Sequence, residues 1–93
     1  MRLDEQELQA ICTPIKKRDP HAAIYLFGSR TDSKKRGGDI DILIISEHIT
    51  SSDKPRLLSE IFEKIEEQKI DLVIKKDTSD PFVQYILETA IRL

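Results

Sequence analysis

Between Gly28 and Asp41 the chain reads GSRTDSKKRGGDID, a stretch whose residue types and spacing could do chemistry together. Asp39 and Asp41 open an apolar run, and side chains two apart on a strand share a face. Ile40, Ile42 and Ile44 then point the other way, into a core, while two carboxylates on one face make a site for a hard cation. Upstream, the apolar run AAIYLF ends at Gly28 and Ser29. A glycine lets a phosphate come close to the backbone, and Ser29 adds a hydroxyl to the N–H groups of the turn. Arg30 follows directly, where its guanidinium could reach triphosphate oxygens. From Arg30 to Gly38 there is no apolar residue, and Lys34, Lys35, Arg36, Gly37 and Gly38 make the loop positive. For each of these lysines an ordinary solvated connection and a phosphate contact are equally open.

The order of apolar strand, Gly-Ser, nine residues, Asp-x-Asp and second apolar strand resembles the minimal nucleotidyltransferases of the DNA polymerase beta superfamily. Asp71, in KIDLVIKK, is similar to their third carboxylate, and the resemblance covers roughly residues 22 to 76. It implies transfer of a nucleoside monophosphate, AMP from ATP, to an acceptor hydroxyl with release of pyrophosphate. It also implies two Mg²⁺ ions about 3.5 to 4 Å apart. By that resemblance Asp39 and Asp41 hold both metals and Asp71 holds the one beside the acceptor and helps to remove its proton. Gly28 and Ser29 bind the β and γ phosphates, with Arg30 beside them. Domains of this size resemble one half of a two-gene module whose other product is a helical protein of the HEPN type, so the expected role is that of an antitoxin that modifies this partner. A binding module that neutralises or scaffolds a helical partner without catalysis is the alternative. The chain departs from the family pattern in two places: Thr31, Asp32 and Ser33 stand where Ala-Arg-Gly is common, and Gly38 stands where Ser often precedes the first Asp.

The elements that must position these residues follow from periodicity. Leu8, Ile11, Cys12 and Ile15 predict a helix over residues 4 to 18, which Pro14 should either kink or restart from a Thr13 cap. A strand from Ala22 to Phe27 has apolar residues on both sides, the mark of an interior strand. The second strand runs from Asp39 to about Ser46. Ser52 or Asp53 caps a second helix with Pro55 in its first turn, Leu57, Leu58, Ile61, Phe62 and Ile65 on its buried side, and Glu60 paired with Lys64. On a third strand, Ile70 to Ile74, parity turns Asp71 and Val73 away from the core-facing Ile70, Leu72 and Ile74. If the second and third strands are neighbours, about 4.8 Å apart, Asp71 joins the other two aspartates. Asp80 and Pro81 begin a last helix, FVQYILETAIRL, with Phe82, Ile86 and Ala90 as its stripe. Tyr85, Leu87 and Ile91 broaden that stripe, either onto the chain's own sheet or toward an oligomer or partner contact.

These elements predict an α/β (α+β) domain, and the resemblance implies that its fold is the polymerase-beta-like nucleotidyltransferase fold. Its sheet is short, twisted and mixed or antiparallel, of about three to four strands, with helices mainly on one face and the site on the other. The short link between the first two strands makes them antiparallel. Ninety-three residues suit a single domain spanning the chain, with little room for a separate substrate domain. Charged residues make up 34% of the chain and the net charge is -2, without the basic excess of a duplex-binding protein. Two Tyr, three Phe and no Trp leave little for base stacking, and Phe27, Phe62 and Phe82 all fall in core-like patterns. His21 and His48 are expected at the surface, and the single Cys12 buried and inert. No segment has the length of a membrane span and the start is no signal peptide, so a cytoplasmic setting is expected.

Overall fold

The computed structural model describes residues 3–31 and 39–93. Asp4 starts the first helix: its carboxylate accepts from the Glu7 backbone N–H at 2.7 Å, and the Glu7 side chain accepts from the Asp4 N–H at 3.2 Å. This reciprocal cap satisfies two donors that a helix start leaves orphaned. The helix, α1, runs Glu5–Arg18 and passes through Pro14 without a restart at Thr13. Pro14 is buried with Ala10, Ile11 and Ile15, so tertiary packing offsets the donor that proline lacks. The buried stripe is therefore rotated from the expected one, and Leu8 and Cys12 are only half-buried.

Strands β1 (Ala23–Phe27), β2 (Ile40–Ile45), β3 (Ile70–Lys75) and β4 (Ile91–Arg92) form one sheet in the order β3-β2-β1-β4. β1 is antiparallel to β2 and to β4, whereas β2 and β3 are parallel, so the sheet is mixed. Connection length explains the difference. A short link joins β1 to β2, but the path from β2 to β3 carries helix α2 (Lys54–Phe62) across one face, as a parallel pair requires. Alternation then sorts the strands. Ile24, Leu26, Ile40, Ile42, Ile44, Ile70 and Leu72 are buried in a core with Ile11 and Ile15 of α1 and Leu57 and Ile61 of α2.

The opposite face holds a smaller cluster, in which Leu43 meets Val83 and Ile86 of helix α3 (Pro81–Leu87), and Tyr25, Phe27 and Val73 pack around them. Asp80 caps α3 by accepting from the Phe82 N–H at 2.7 Å. The last segment differs from the sequence expectation of one continuous helix. It stops at Leu87, and the chain end becomes β4, with the Leu93 N–H donating to the Ile24 carbonyl at 2.9 Å. The exposed edge of β1 offers backbone partners that a longer helix would leave unused. The stripe also differs: Val83 and Ile86 are buried while Phe82 is 50% exposed. Glu60, expected to pair with Lys64, instead meets Arg18 of α1 at 2.9 Å, because α2 ends before Lys64.

Candidate active site

Parity along two parallel strands decides which acids meet. Asp41 of β2 stands in register with Asp71 of β3, on the face away from α1 and α2, as period-two reasoning requires. As register partners on adjacent strands the two residues present their carboxyls side by side. Burial pushes the Asp41 carboxyl above its ordinary range, and the charge of Asp71, the hydrogen bond with it and the charge of Asp39 push it further, against a smaller opposing pull from Lys69. Asp41 is half-buried and Asp71 exposed. Asp39 lies just before β2 and pairs with Lys69, 3.4 Å from its Oδ2. The pair is therefore close, and the third acid acts on it through its field. Among the described residues no three His, Cys, Asp or Glu side chains are already arranged as a cage for an ion.

Gly28 is what lets the chain pass so near. It follows β1, whose last residue Phe27 is the register partner of Asp41, and its φ is +78°, a conformation that L side chains rarely adopt. A Cβ at this position would run into the Asp41 carboxylate and stand 3.2 Å from its Cγ. Glycine is thus required for backbone conformation and for space, and the space it leaves belongs to Asp41. The sequence suggested room for a phosphate; the approach to Asp41 had no local signal, because it depends on pairing across strands. Residues Gly28–Thr31 form a 3-10 turn, in which the Thr31 hydroxyl donates to the Gly28 carbonyl at 2.7 Å. The expected contacts of the Ser29 and Arg30 side chains, and of Lys34, Lys35, Arg36, Gly37 and Gly38, lie outside the described residues.

A divalent cation suits this donor set. Asp39, Asp41 and Asp71 offer only carboxylate oxygens, the hard ligands that Mg²⁺ takes, and the bare Gly28 leaves room for the Asp41 carboxylate among them. A cavity of about 520 Å³ opens on the pair, bordered by Phe27, Lys54, Val73 and Phe82 as well as by both acids. Lys54 and Phe82 were not anticipated there, since each comes from a helix distant in sequence.

The sequence model of the family described as "Polymerase beta, Nucleotidyltransferase" matches residues 9–93. The chain belongs to this family. The match reaches beyond the motif-bearing stretch to take in most of α1 and all of α3 and β4. No curated protein matches it. The fold of this nucleotidyltransferase, with three helices and a four-stranded mixed sheet among the described residues, agrees with the polymerase-beta-like architecture. Its activity is of the nucleotidyltransferase type and its substrate class is nucleotides. Among the described residues no helix is long and apolar enough to cross a membrane.

Proposed function

We propose that this nucleotidyltransferase moves AMP from ATP, with Mg²⁺, onto an acceptor hydroxyl of a helical HEPN-type partner, and so acts as an antitoxin in the cytoplasm. The observation that carries the chemistry is the Asp41–Asp71 pair, aligned across β2 and β3 beneath the Gly28 turn. Asp39, Asp41 and Asp71 would hold the cation. Bound there, it would neutralise phosphate charge and make the acceptor hydroxyl more acidic. Gly28, Ser29 and Arg30 hold the triphosphate. Asp71, exposed beside the cavity, takes the proton of the acceptor hydroxyl. The acceptor oxygen forms its bond to the α-phosphorus as the bond to the bridging oxygen breaks, and that electron pair leaves with pyrophosphate.

Three acids near one point would repel a triphosphate, so binding should need a cation. Calorimetric titration with ATP should show binding in Mg²⁺ and none in excess chelator, and Asp41→Asn should lose it. Groups that only support metal ligands already cost about 10- to 100-fold when removed, so loss of a ligand should exceed that. Intact-mass measurement on the helical partner should then show added adenylate with the wild type and none with Asp41→Asn. Equal ATP affinity in chelator would overturn the metal-dependent site. A tight complex with an unmodified partner under every nucleoside triphosphate would leave a binding module instead.

A further inference from the structure

Among the described residues, Phe82 and Tyr85 are the large apolar side chains that the fold leaves outside, 50% and 71% exposed, although Val83 and Ile86 of the same short helix are buried. Their placement is specific. Phe82 borders the cavity that opens on Asp41 and Asp71, and it also borders a second one of about 310 Å³ lined by Phe27, Gly28, Tyr85, Glu88 and Thr89. Phe27 is the other residue common to both, and it is the register partner of Asp41. An aromatic wall therefore runs from the acid pair to the turn at Gly28. Phe27 is anchored in the cluster that Leu43, Val83 and Ile86 form on this face, whereas Phe82 and Tyr85 stand outside that cluster.

We infer that Phe82 is the platform on which the base of the nucleoside triphosphate stacks, with Phe27 and Tyr85 at its sides. The inference rests on the transferase reading above and adds the subsite that reading lacks. Three observations favour a base over a protein surface. The second cavity is concave and of small-ligand size, at the lower end of the roughly 300–1,000 Å³ typical of such sites. Its aromatic walls carry a polar edge, Glu88 and Thr89, that could accept from an exocyclic amino group and donate to a ring nitrogen. It also shares Gly28 with the turn assigned to the phosphates, which places a base within the length of one nucleotide of the acids. Stacking on an aromatic face needs no base-specific pocket, so a chain without a recognisable base-reading motif can still hold a nucleotide.

The full-length protein, titrated calorimetrically in Mg²⁺ with ATP and separately with inorganic tripolyphosphate, tests this. The wild type should bind ATP more tightly than tripolyphosphate. Phe82→Ala should weaken ATP roughly 5- to 150-fold, the range that base–aromatic stacking energies correspond to, and leave tripolyphosphate unchanged. Phe82→Tyr should retain ATP affinity, whereas Phe82→Leu, which keeps the bulk but not the π face, should behave like Phe82→Ala. Melting curves confirm that each variant is folded. Wild-type affinity for ATP in Phe82→Ala overturns the platform, and so does equal loss of both ligands. If Phe82→Ala keeps ATP but no longer associates with the helical partner, the aromatic wall is a protein-docking surface and the platform falls. A wild type that binds tripolyphosphate but gains nothing from the nucleoside overturns the platform alone; one that binds neither overturns the transferase reading with it.

Discussion

Two aspartates at opposite ends of β2 have opposite electrostatic fates. Asp19, at the end of α1, is 3% exposed, yet its carboxyl lies below the ordinary range. The chief cause is the Ser46 hydroxyl, which donates to it at 2.6 Å, joined by the His21 N–H at 3.0 Å and by the nearby His48 and His21 side chains. Ser46 in turn accepts from the N–H groups of His48 at 3.0 Å and Ile49 at 2.9 Å. This network pins the end of α1 to the chain leaving β2, and every donor in it has an acceptor. Asp41 is less buried, and among the described residues no hydrogen-bond donor like these reaches it. Its neighbours are other acids, Asp71 and Asp39, and its carboxyl is raised. Burial alone thus does not settle charge: a carboxylate given hydrogen-bond donors stays ionised in the interior, and one given carboxylates resists ionisation near the surface. The first arrangement serves the fold, whereas the repulsion in the second is what a bound cation would relieve.

The largest way to break this contrast is Gly28→Ala. The left-handed backbone alone should cost about 1 to 2 kcal/mol, lowering the melting temperature by at least about 4 °C in a domain this small. The new methyl should also displace the Asp41 carboxylate, so the stabilisation that Mg²⁺ gives by mass action should disappear. Melting curves in chelator and in excess Mg²⁺ check both effects. A variant that melts like the wild type and keeps its full Mg²⁺ response would mean that Gly28 does not make room for a working Asp41.

Next in size, the same amide substitution should have opposite signs at the two aspartates. In chelator near neutral pH, Asp41→Asn removes repulsion while keeping shape. A gain of about 1 kcal/mol, well under the full Coulomb energy of a close pair at an effective dielectric of 20, raises the melting temperature by about 4 to 8 °C. Asp19→Asn should melt lower than the wild type. The pH windows differ as well. A raised carboxyl penalises folding only above its unfolded value of about 4, so the Asp41→Asn gain should shrink as pH falls toward that value. A lowered carboxyl stabilises above about 4 and loses that stabilisation below it, so the Asp19→Asn deficit should persist to about pH 4 and fade only in stronger acid. Shifts of the same sign for both variants, or fading in one common window, would remove the distinction between a structural and a functional acid.

The two sites also differ in how legible they were from sequence. Asp41 and Asp71 announced themselves because strand alternation is a local, period-two property: an acid inside DIDILII or KIDLVIKK has to leave the core face. The fold class followed from the same alternation and from connection lengths. Asp19 lies just past the predicted first helix with no local sign of a role, since its partner Ser46 is 27 residues away. Arg18 and Glu60, 42 residues apart, were hidden for the same reason. Phe82 was misassigned to the core because Phe82, Val83, Tyr85, Ile86 and Leu87 crowd one seven-residue helix, and so short an element has no period to choose among them. Only the position of Leu43 beneath α3 decides that Val83 and Ile86 go in. β4, two residues long, carries no pattern at all; the open edge of β1 creates it.

The smallest expected effect isolates the acid end from the cation that pairs with Asp39. Lys69 pairs with Asp39 at 3.4 Å and lowers the Asp41 carboxyl slightly, so it partly supplies what a cation would. Its side chain is 69% exposed, and exposed pairs of this kind are worth about 0.2 to 1 kcal/mol. Lys69→Gln should therefore leave the fold nearly as stable and free Asp39 for the metal. Mg²⁺ affinity should rise by about 1.4- to 5-fold at low ionic strength, the equivalent of that energy. The gain should fade as added salt shortens the screening length to about 3 Å at 1 M. Lys76, which borders the Asp19 end, is the natural control: Lys76→Gln should not move Mg²⁺ affinity at any salt concentration. Calorimetric titration of both variants with Mg²⁺ in the absence of nucleotide keeps phosphate contacts out of the result. Weaker Mg²⁺ binding in Lys69→Gln would mean that Lys69 orients Asp39 for the metal instead of competing with it. The acid end would then resemble the Asp19 network after all, with a carboxylate held in place by its donor.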